Sequence, residues 1–539
     1  MTNSISWKAT RPVVLGRHGA VASAHPLASQ AGLDMLRTGG NAVDAVVAAA
    51  STLGVVEPYM SGPGGVGFLL LHVADGTTKV LNFSGNTPAA ATADRFTPDE
   101  TEIGPKACLI PGNIAGWFEA LRAHGTKQAA DVFAPAIRFA EEGFPLHPFN
   151  VDRIAVTLPR LNPAGKDVFE SVPNRLGAVL RQPDLAESYR RLCASGPDEF
   201  YKGPLGNTVC DFLQSQGGLL SRDDLAGYQP EWDEPISVDY RGINVRTCPP
   251  NNEGFQILQT LKLIEGFDLV SLGHNSAEYI HLLSEAMKLA VADRIEHSGD
   301  PKFDPVPLDR LLSDDYTAAR RKQINPMAAS QSEGERWRGL RAADVVSPGR
   351  IDGLTTHLSA VDAAGNVASI TQSLGNGFGS GVMVPGTGIL LNNFIWWTEI
   401  DRGCHKPSRI EPGKRWSCCM APVQVHRDGK FWFSIATPGS WGILQTTTQM
   451  LLNIVEFGAD PQMAIEAPRF RLWEETRMQI EDRVDPSVRA ELESRGHALE
   501  LLDAFSVYVG GGQSVMIDPK TGTRLAGADP RRDGYALAY

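Results

Sequence analysis

The sequence predicts an α+β fold in which two antiparallel β-sheets lie between outer layers of helices, a four-layer αββα sandwich. Two observations support it. The first part of the chain has helical periodicity, as in "HPLASQAGLDMLRTGGNAVDAVVAAASTLGVV", and the last third contains hairpin patterns that alternate apolar and polar residues around short turns. Helices that flank such hairpins must bury their apolar faces against sheets, so the layers are expected to stack.

In the first half of the chain, apolar residues at three- and four-residue spacing predict helices from Ala20 to about Val56. Gly39 and Gly40 separate two helices, and Asn41 is a candidate cap for the second. A glycine-rich turn then leads into "FLLLHV", a continuous apolar run typical of a buried strand, and "TTKVLNF" continues the sheet. The following region is mainly helical, and "HNSAEYIHLLSEAMKLAVADRIEH" predicts a strong amphipathic helix.

In the second half, the stretch from about Ala328 to Asp352 is polar and weakly periodic, which predicts a mobile tether. Strands follow it. "THLSAVDAAGNVASITQSL" and "APVQVHRDGKFWFSIATPGS" each alternate around a turn, and "GGGQSVMIDPKTGTRLAGADPRRDG" predicts a further hairpin. A helix is expected at "ILQTTTQMLLNIVEFG", directly after the second of these hairpins.

Composition excludes several classes of function. The chain of 539 residues is 42% hydrophobic, carries a formal net charge of -12 and has no run rich in lysine or arginine, which argues against nucleic acid as a partner. Its apolar stretches fall short of the roughly 18 residues that a membrane span needs. The seven cysteines lack the spacing of metal ligands. We therefore expect a cytoplasmic protein with reduced thiols, without a metal or an organic cofactor.

Thr355 is the candidate nucleophile, because it follows the polar tether and opens the stretch "TTHLSAVDAAGNVASIT". Cleavage of the Leu354–Thr355 bond would give Thr355 both a hydroxyl and a free α-amino group. An α-amino group has a reference pKa of about 7.7–8.0, so it can take the hydroxyl proton near neutral pH. A threonine hydroxyl activated in this way can attack an acyl group, which is the N-terminal-nucleophile arrangement.

Acyl transfer also needs donors for the oxyanion, and the turn "TPGSWG" is a candidate source. It lies between a predicted strand and a predicted helix, so the backbone amides of Gly439 and Ser440 can point at one position. One such donor contributes about 10²–10³ in rate. A threonine pair at a strand start and a Pro-Gly-Ser turn are usually only structural, but their occurrence together in this order favours catalysis.

Over nearly its whole length the sequence resembles the γ-glutamyltransferases, also called glutathione hydrolases. The blocks that carry this resemblance stand in family order and include "GGNAVDAVVAA", "PGGVGF", "TTHLSAVDAAGNVASIT", "FGSGVMVPGTGILLNN" and "ADPRRDG". The resemblance implies an N-terminal-nucleophile hydrolase fold and an inactive precursor. Self-cleavage would give a large subunit of residues 1–354 and a small subunit of residues 355–539, which remain one folded body.

The resemblance also assigns the catalytic positions. Thr355 takes the place of the nucleophile, and Ser373 takes that of a second threonine whose hydroxyl supports it. Gly439 and Ser440 stand where the family has the two glycines of the oxyanion hole. Serine keeps the supporting hydroxyl, and backbone amides do not depend on the side chain. We therefore expect an acyl-threonine intermediate, a small-molecule amide as donor, and water or an amine as acceptor.

The positions that hold the glutamyl head group in the family differ in this chain. Ser84 replaces the arginine that binds the α-carboxylate, and Cys418 and Cys419 replace a pair of serines. Phe394 and Trp397 stand in place of the glutamine and aspartate that bind the α-amino group. Cysteine is a weaker hydrogen-bond donor than serine, and the aromatic residues have no charge. These substitutions predict a more apolar acyl pocket.

A few further residues bear on this pocket. The family's asparagine after the supporting threonine falls on Gly375, with Asn376 beside it. Burial of a carboxylate without its charged partner costs on the order of 3–5 kcal/mol, which is roughly 10²–10³ or more in affinity. Two alternatives remain open: Arg402 or Arg409 could supply the missing guanidinium, and Trp396 or Trp397 could merely pack in the core.

Three functions follow as hypotheses. The first is an amide hydrolase or acyltransferase that acts on a γ-glutamyl donor. The second is an amidohydrolase for a non-glutamyl acyl group, as in relatives that hydrolyse oxamate or acylated β-lactams. The third is a catalytically inactive relative that binds a small molecule. The presence of Thr355, Ser373 and the TPGS turn argues against the third.

Maturation provides the first test. We expect the chain to split between Leu354 and Thr355, because the nucleophile needs a free α-amino group. Denaturing mass spectrometry should find two chains for the wild-type protein and one for Thr355→Ala, which lacks the attacking hydroxyl. Cleavage of the alanine variant at this bond would show that Thr355 is not the nucleophile.

Overall fold

The computed structural model describes residues 8–331, 354–401, 407–473 and 476–539. The predicted tether lies almost entirely outside the described residues, and so does Arg402. None of the helices in these described ranges is both long enough and apolar enough to cross a membrane. The cytoplasmic location stays a prediction.

Two large antiparallel sheets form the centre of the molecule. The sheet that contains Thr355, here called the nucleophile sheet, has in spatial order the strands Tyr535–Ala538, Ala20–Ser23, Leu354–Val361, Val367–Gly375, Val66–His72, Thr78–Phe83 and Glu231–Asp233. The second sheet has in spatial order the strands Val14–Gly16, Arg524–Ala528, Gln513–Ile517, Lys430–Ala436, Val423–Arg427, Ile243–Thr247 and Ile236–Tyr240. The sheets pack face to face.

Helices cover the outer face of each sheet. On the nucleophile sheet these are Pro26–Arg37, Ala42–Val56 and Asn113–His124, with Ala129–Glu142 and Pro183–Ser195 behind them. On the second sheet they are Phe255–Ile264, Gly442–Val455 and Pro461–Glu466, with Ala277–His297 behind them. The arrangement confirms the predicted four-layer αββα sandwich.

Smaller elements surround these layers. The remaining α-helices are Pro98–Glu102, Pro148–Thr157, Pro163–Phe169, Asp198–Tyr201, Pro204–Ser215, Arg222–Gly227, Leu269–Leu272, Leu308–Leu311, Asp314–Arg321 and Pro486–Ser494. Short strands outside the two large sheets are Phe144–Pro145 with Val179–Leu180, Met383–Val384 with Ile389–Leu390, and the three-stranded sheet Phe470–Leu472, Arg477–Glu481 and Ala498–Leu502.

The start of the helical region differs from the sequence prediction. Residues Ala20–Ser23 form a strand, and the first helix begins only at Pro26. All four strand residues are buried, so the strand shows no alternation of apolar and polar residues that could distinguish it from a helix. The predicted cap is confirmed, since Asn41 Oδ1 accepts hydrogen bonds from the amides of Val43 and Asp44 at 2.9 and 3.1 Å.

The hairpin that begins at Leu354 lies in the middle of the nucleophile sheet. Its two strands, Leu354–Val361 and Val367–Gly375, are buried along their whole length because helices cover one face and the second sheet covers the other. A 2.6 Å hydrogen bond between Ser369 Oγ and Ser434 Oγ joins the two sheets. The sandwich therefore holds the start of this hairpin in a rigid environment.

Candidate active site

Thr355 stands at an irregularity in the central hairpin. Thr355 pairs with Ser373, but Leu354 pairs with Gly375, so the register shifts between Leu354 and Thr355. A bulge of this kind interrupts the regular ladder and turns a backbone segment out of the plane of the sheet. The irregularity therefore falls on the bond at which the sequence predicts cleavage, and Thr355 itself is 4% exposed.

Ser373 lies between the candidate nucleophile and the carbonyl of the bond to be cut. Thr355 Oγ1 donates a hydrogen bond to Ser373 Oγ at 3.3 Å, and Ser373 Oγ donates to the carbonyl oxygen of Leu354 at 3.0 Å. The amide of Gly375 donates to the same Ser373 oxygen at 2.8 Å. The Ser373 hydroxyl thus contacts both groups that would react, and its proton points at the oxygen that would become negative.

Two buried ionisable residues form hydrogen bonds to the nucleophile strand. Arg532 Nη1 donates to the carbonyl oxygen of Thr355 at 3.1 Å. Thr356 Oγ1 donates to Glu57 Oε2 at 3.2 Å. Glu57 and Arg532 are 1% and 3% exposed, so little water screens their interaction. The two side chains bind consecutive residues of the strand.

Burial controls the charge of this pair. It raises the pKa of the Glu57 carboxyl to about 7, against the opposing attraction of Arg532. It lowers the pKa of the Arg532 guanidinium to about 10. The sequence pattern does not mark Glu57 as part of the site, whereas Arg532 lies in the family block "ADPRRDG". The only signal for Glu57 is a single charge directly after the fully buried helix Ala42–Val56.

The TPGS turn lies where the sequence predicts it, between the strand Lys430–Ala436 and the helix Gly442–Val455. Gly439 and Ser440 have φ angles of 135° and 54°. Among the described residues, neither amide has a hydrogen-bond acceptor. Both donors are therefore available to an incoming oxyanion.

Contacts with a neighbouring glycine loop place this turn beside Arg532. The amide of Gly511 donates to Thr437 Oγ1 at 2.8 Å. A Cβ on Gly511 would lie 2.7 Å from Cδ of Arg532, so the loop packs closely against that arginine. Arg532 in turn donates a hydrogen bond to the Thr355 carbonyl. The glycine loop and the Arg532 side chain thus connect the TPGS turn to the nucleophile strand.

Asn251 brings together two of the predicted substrate-binding positions. Its Nδ2 donates to Ser84 Oγ at 3.1 Å, and its carbonyl oxygen accepts the amide of Cys418 at 2.9 Å. Ser84 and Cys418 are 1% and 0% exposed, and Cys419 is 3% exposed. Burial raises the pKa of the Cys418 thiol well above its ordinary value, so the thiol stays protonated. Asn251, which is distant in sequence from both, was not predicted.

Aromatic rings form a continuous cluster around these residues. Phe394 and Trp397 belong to one short 3-10 turn, and their ring centres are 5.1 Å apart. Phe394 stacks on Trp416 at 4.2 Å, and Trp397 lies 6.4 Å from Trp441, the residue after Ser440. Phe394 and Trp397 are each 2% exposed. Both rings belong to a hydrophobic core cluster, which agrees with the alternative that Trp397 packs in the core. Their role in an apolar acyl pocket stays a prediction.

Gly375 connects this aromatic cluster to the nucleophile. Its φ angle is 105°, and a Cβ there would lie 2.0 Å from Asn393 Oδ1 and 3.2 Å from Cζ3 of Trp397. Only glycine fits this backbone and this space. Asn376 is held beside it, since its amide donates to the same Asn393 oxygen at 3.0 Å. The edge of the Trp397 ring therefore lies against Gly375, which is two residues after Ser373 in the sequence.

The alternative source of a guanidinium finds no support in the described part of the chain. Arg409 pairs with Asp304 at 2.9 Å and with Glu411 at 2.7 Å. Arg415, directly before Trp416, pairs with the buried Asp300 at 2.7 Å. Both guanidinium groups therefore form salt bridges with carboxylates of the protein.

One group of side chains in the described ranges has the composition of a metal site. The potential ligand atoms of His281, Glu285 and His497 lie within 4.8 Å of one another. His281 Nδ1 and His497 Nε2 share a 2.9 Å hydrogen bond, and the Lys288 ammonium lies 2.7 Å from Glu285 Oε1. The positive charge of Lys288 opposes a cation at this position. The network involves the helix Ala277–His297 and contains none of the predicted site residues.

A sandwich of this topology, with a threonine at the cleavable start of a central strand, defines the class of N-terminal-nucleophile hydrolases. The chain belongs to the γ-glutamyltranspeptidase family, whose model matches residues 28–539. It is 35% identical to a glutathione hydrolase proenzyme of Bacillus subtilis, over 99% of this chain and 93% of that protein. It is 36% identical to the acylase ACY 1 proenzyme of a Pseudomonas species, over 97% and 94%.

The solved structures agree with this assignment. The crystal structure of a cephalosporin acylase from Bacillus halodurans superposes with a TM-score of 0.89 and 32% sequence identity. The alignment covers 100% of this chain and 99% of the acylase. The family thus contains both glutathione hydrolases and acylases at similar distance from this chain.

Ser373→Ala should slow both maturation and turnover. The substitution removes the hydroxyl that contacts Thr355 and the Leu354 carbonyl, and one positioned donor is worth roughly 10–10³ in kcat. Time-resolved gel analysis and steady-state kinetics measure the two effects. Ser369→Ala is the matched control, because Ser369 lies in the same strand but bonds to Ser434. Unchanged kinetics of the Ser373 variant would remove this residue from the mechanism.

Glu57→Gln should change how stability depends on pH. The folded carboxyl keeps its proton up to about pH 7, against 4.5 for the reference group. The protonated Glu57 side chain therefore makes its full contribution to the free energy of unfolding below pH 4.5. This contribution is lost as the pH rises to about 7. The measurement is thermal unfolding of both proteins across this pH range, in the uncleaved Thr355→Ala background. We expect the midpoint of the protein with Glu57 to fall by a few degrees relative to that of the glutamine variant as the pH rises. Parallel curves would contradict the raised pKa.

Proposed function

We propose that this protein is a precursor that cuts itself between Leu354 and Thr355 and then hydrolyses amides through an acyl-Thr355 ester. The observation that carries this proposal is the Ser373 hydroxyl, which contacts both the Thr355 hydroxyl and the Leu354 carbonyl oxygen. The products of cleavage would be a large subunit of residues 1–354 and a small subunit of residues 355–539.

Maturation begins with attack of Thr355 Oγ1 on the carbonyl carbon of Leu354. The Ser373 hydroxyl stabilises the negative charge on the carbonyl oxygen by its hydrogen bond. Collapse of the intermediate breaks the C–N bond, and the amide nitrogen takes the proton that the attacking Thr355 hydroxyl gave up, so that it becomes the α-amino group of Thr355. Water then hydrolyses the resulting Leu354–Thr355 ester, which leaves a carboxylate on Leu354 and a free hydroxyl on Thr355.

Turnover uses the groups that cleavage releases. The α-amino group of Thr355 accepts the proton of its hydroxyl, which attacks the substrate amide. The amides of Gly439 and Ser440 stabilise the oxyanion, and the proton passes to the departing amine. The acyl-Thr355 ester then reacts with water to release a carboxylic acid, or with an amine acceptor to form a new amide.

The pocket favours an acyl group without the zwitterionic head of a γ-glutamyl donor. Phe394 and Trp397, which replace polar residues of the family, lie in a buried aromatic cluster, and Ser84 Oγ accepts a hydrogen bond from Asn251 Nδ2. A buried carboxylate without a charged partner costs on the order of 3–5 kcal/mol. A similar solved structure is named a cephalosporin acylase, which supports a non-glutamyl donor. The γ-glutamyl donor of the glutathione hydrolases is the second candidate, supported by comparable identity.

The specificity prediction compares three classes of p-nitroanilide. We expect a low kcat/KM for the γ-glutamyl compound and higher values for the glutaryl and simple aliphatic compounds, because the pocket lacks partners for the α-amino-acid head. The glutaryl compound keeps the chain and one carboxylate but lacks the amine, so it separates the two missing contacts.

Thr355→Ala serves as the blank for this comparison, since it removes the nucleophile. A γ-glutamyl compound that exceeds the others by ten-fold or more would contradict the proposed preference. The protein would then act as a glutathione hydrolase whose pocket binds the zwitterion by other contacts.

A further inference from the structure

The turn of residues 437–441, here called the oxyanion turn, uses its carbonyl groups to start the helix that follows it. The amide of Gly442 donates to the carbonyl oxygen of Gly439 at 3.0 Å, and the amide of Ile443 donates to that of Ser440 at 3.0 Å. These bonds belong to the first turn of the helix Gly442–Val455. The direction of the Gly439 and Ser440 amides is therefore set by how this helix begins.

The backbone of Ser440 needs support from its neighbours. Its φ angle of 54° lies in the left-handed region, where a residue with a Cβ is less favourable than glycine. The next residue, Trp441, has a φ of -64° and a ψ of -13°, which are already helical. A chain that changes conformation in this way at a serine keeps its shape only where the surrounding contacts fix it. The contacts on either side of Ser440 therefore decide where its amide points.

Two contacts hold the oxyanion turn, one at each end. At its start, the amide of Gly511 donates to Thr437 Oγ1 at 2.8 Å. At its end, Trp441 Nε1 donates to Glu253 Oε2 at 2.8 Å. The second contact is made directly after Ser440, so it fixes the residue through which the turn passes into the helix.

Glu253 is itself held by several neighbours. Its Oε2 also accepts from Arg294 Nη1 at 3.2 Å, its Oε1 accepts from Ser298 Oγ at 2.9 Å, and its amide donates to the carbonyl of Cys418 at 2.7 Å. The Arg294 guanidinium also lies over the Trp441 ring, 5.3 Å from its centre. Glu253 and Arg294 are both buried, and a hydrogen bond to a charged acceptor is stronger than one between neutral groups. The indole is therefore held both at its N–H and at its face.

We propose that Glu253 is a positioning residue for turnover, which acts through the Trp441 indole to fix the amides of Gly439 and Ser440 on the oxyanion. This inference rests on the proposed function, since that function assigns the two amides to the oxyanion. Donors of this kind stabilise a transition state only while their geometry is held in advance. The family has a second glycine where this chain has Ser440, and the Glu253 contact offsets the strain of the serine backbone.

Maturation and turnover depend on this contact differently. In maturation the Ser373 hydroxyl bonds to the carbonyl oxygen of Leu354, whereas in turnover the amides of the oxyanion turn stabilise the negative charge. Loss of the indole hydrogen bond should therefore lower turnover and leave the rate of self-cleavage unchanged. A contact that merely stabilises the fold would affect both reactions.

The test compares three variants with the wild-type protein. Trp441→Phe keeps an aromatic ring but removes the N–H. Glu253→Gln is the conservative variant, because its side-chain oxygen can still accept from Trp441 and Arg294 while its new amide can donate to Ser298. Ser298→Ala is the matched control, since it removes a hydrogen bond of the same carboxylate without touching the indole.

Each protein is measured in both reactions. Time-resolved gel analysis of the freshly synthesised precursor gives the half-time of self-cleavage. Steady-state kinetics of the cleaved enzyme give kcat and KM on γ-glutamyl-, glutaryl- and hexanoyl-p-nitroanilide, and the variants are compared on the anilide that the wild-type protein hydrolyses fastest. Self-cleavage at the wild-type rate also shows that a variant has folded.

We expect Trp441→Phe to lower kcat by about 10–100-fold, up to the effect of losing one oxyanion donor. Its KM should stay within about three-fold of the wild-type value, because the ground state makes little use of these amides. Its half-time of self-cleavage should equal that of the wild-type protein. Glu253→Gln and Ser298→Ala should keep kcat within about three-fold, since both preserve an acceptor for the indole.

The contrary outcomes are distinct. A Trp441→Phe enzyme with the wild-type kcat overturns the inference, and so does one whose loss lies in KM or whose self-cleavage slows in step with kcat. A loss in Glu253→Gln as large as that in Trp441→Phe also overturns it, because the glutamine keeps the acceptor. In these cases the activity of the wild-type enzyme leaves the proposed function standing. A cleaved wild-type protein that is inert towards every anilide overturns the proposed function, and the inference with it.

Discussion

The hydrogen bonds of a single hydroxyl, that of Ser373, are the interaction on which the rest of the site depends. This hydroxyl accepts from Thr355 Oγ1 and donates to the Leu354 carbonyl, while the Gly375 amide fixes its position. The geometry requires the hairpin register to shift at Leu354, because a regular ladder would place the scissile carbonyl in the sheet plane. The four layers serve to hold that irregularity in place.

Buried charge beneath the strand complements this arrangement. Arg532 holds the Thr355 carbonyl, and Glu57 holds the Thr356 hydroxyl. Burial of these ionisable groups costs desolvation energy, which the hydrogen bonds to Thr355 and Thr356 partly offset. The raised pKa of Glu57 shows the same cost, since the carboxyl keeps its proton to about pH 7.

The aromatic cluster beside the catalytic centre follows a different physical rule. Phe394, Trp397 and Trp416 pack ring against ring, and Asn251 bonds to the Ser84 hydroxyl and the Cys418 amide. The sequence departs from the family pattern at Ser84, Phe394, Trp397 and Cys418, whereas it keeps Thr355. The catalytic groups can therefore be shared across the family while the accepted acyl group changes.

Local sequence patterns were sufficient to predict the layer architecture, the hairpin at Thr355 and the turn at Gly439, because periodicity and turn chemistry are local properties of the chain. It also identified Ser373, through its place in a family block. The strand Ala20–Ser23 escaped prediction because a strand buried on both faces has no alternation. The contacts of Glu57, Arg532 and Asn251 with the site became visible only in the folded chain, although Arg532 lies in a family block of the sequence. Each depends on contacts between residues far apart in sequence, which no local pattern encodes.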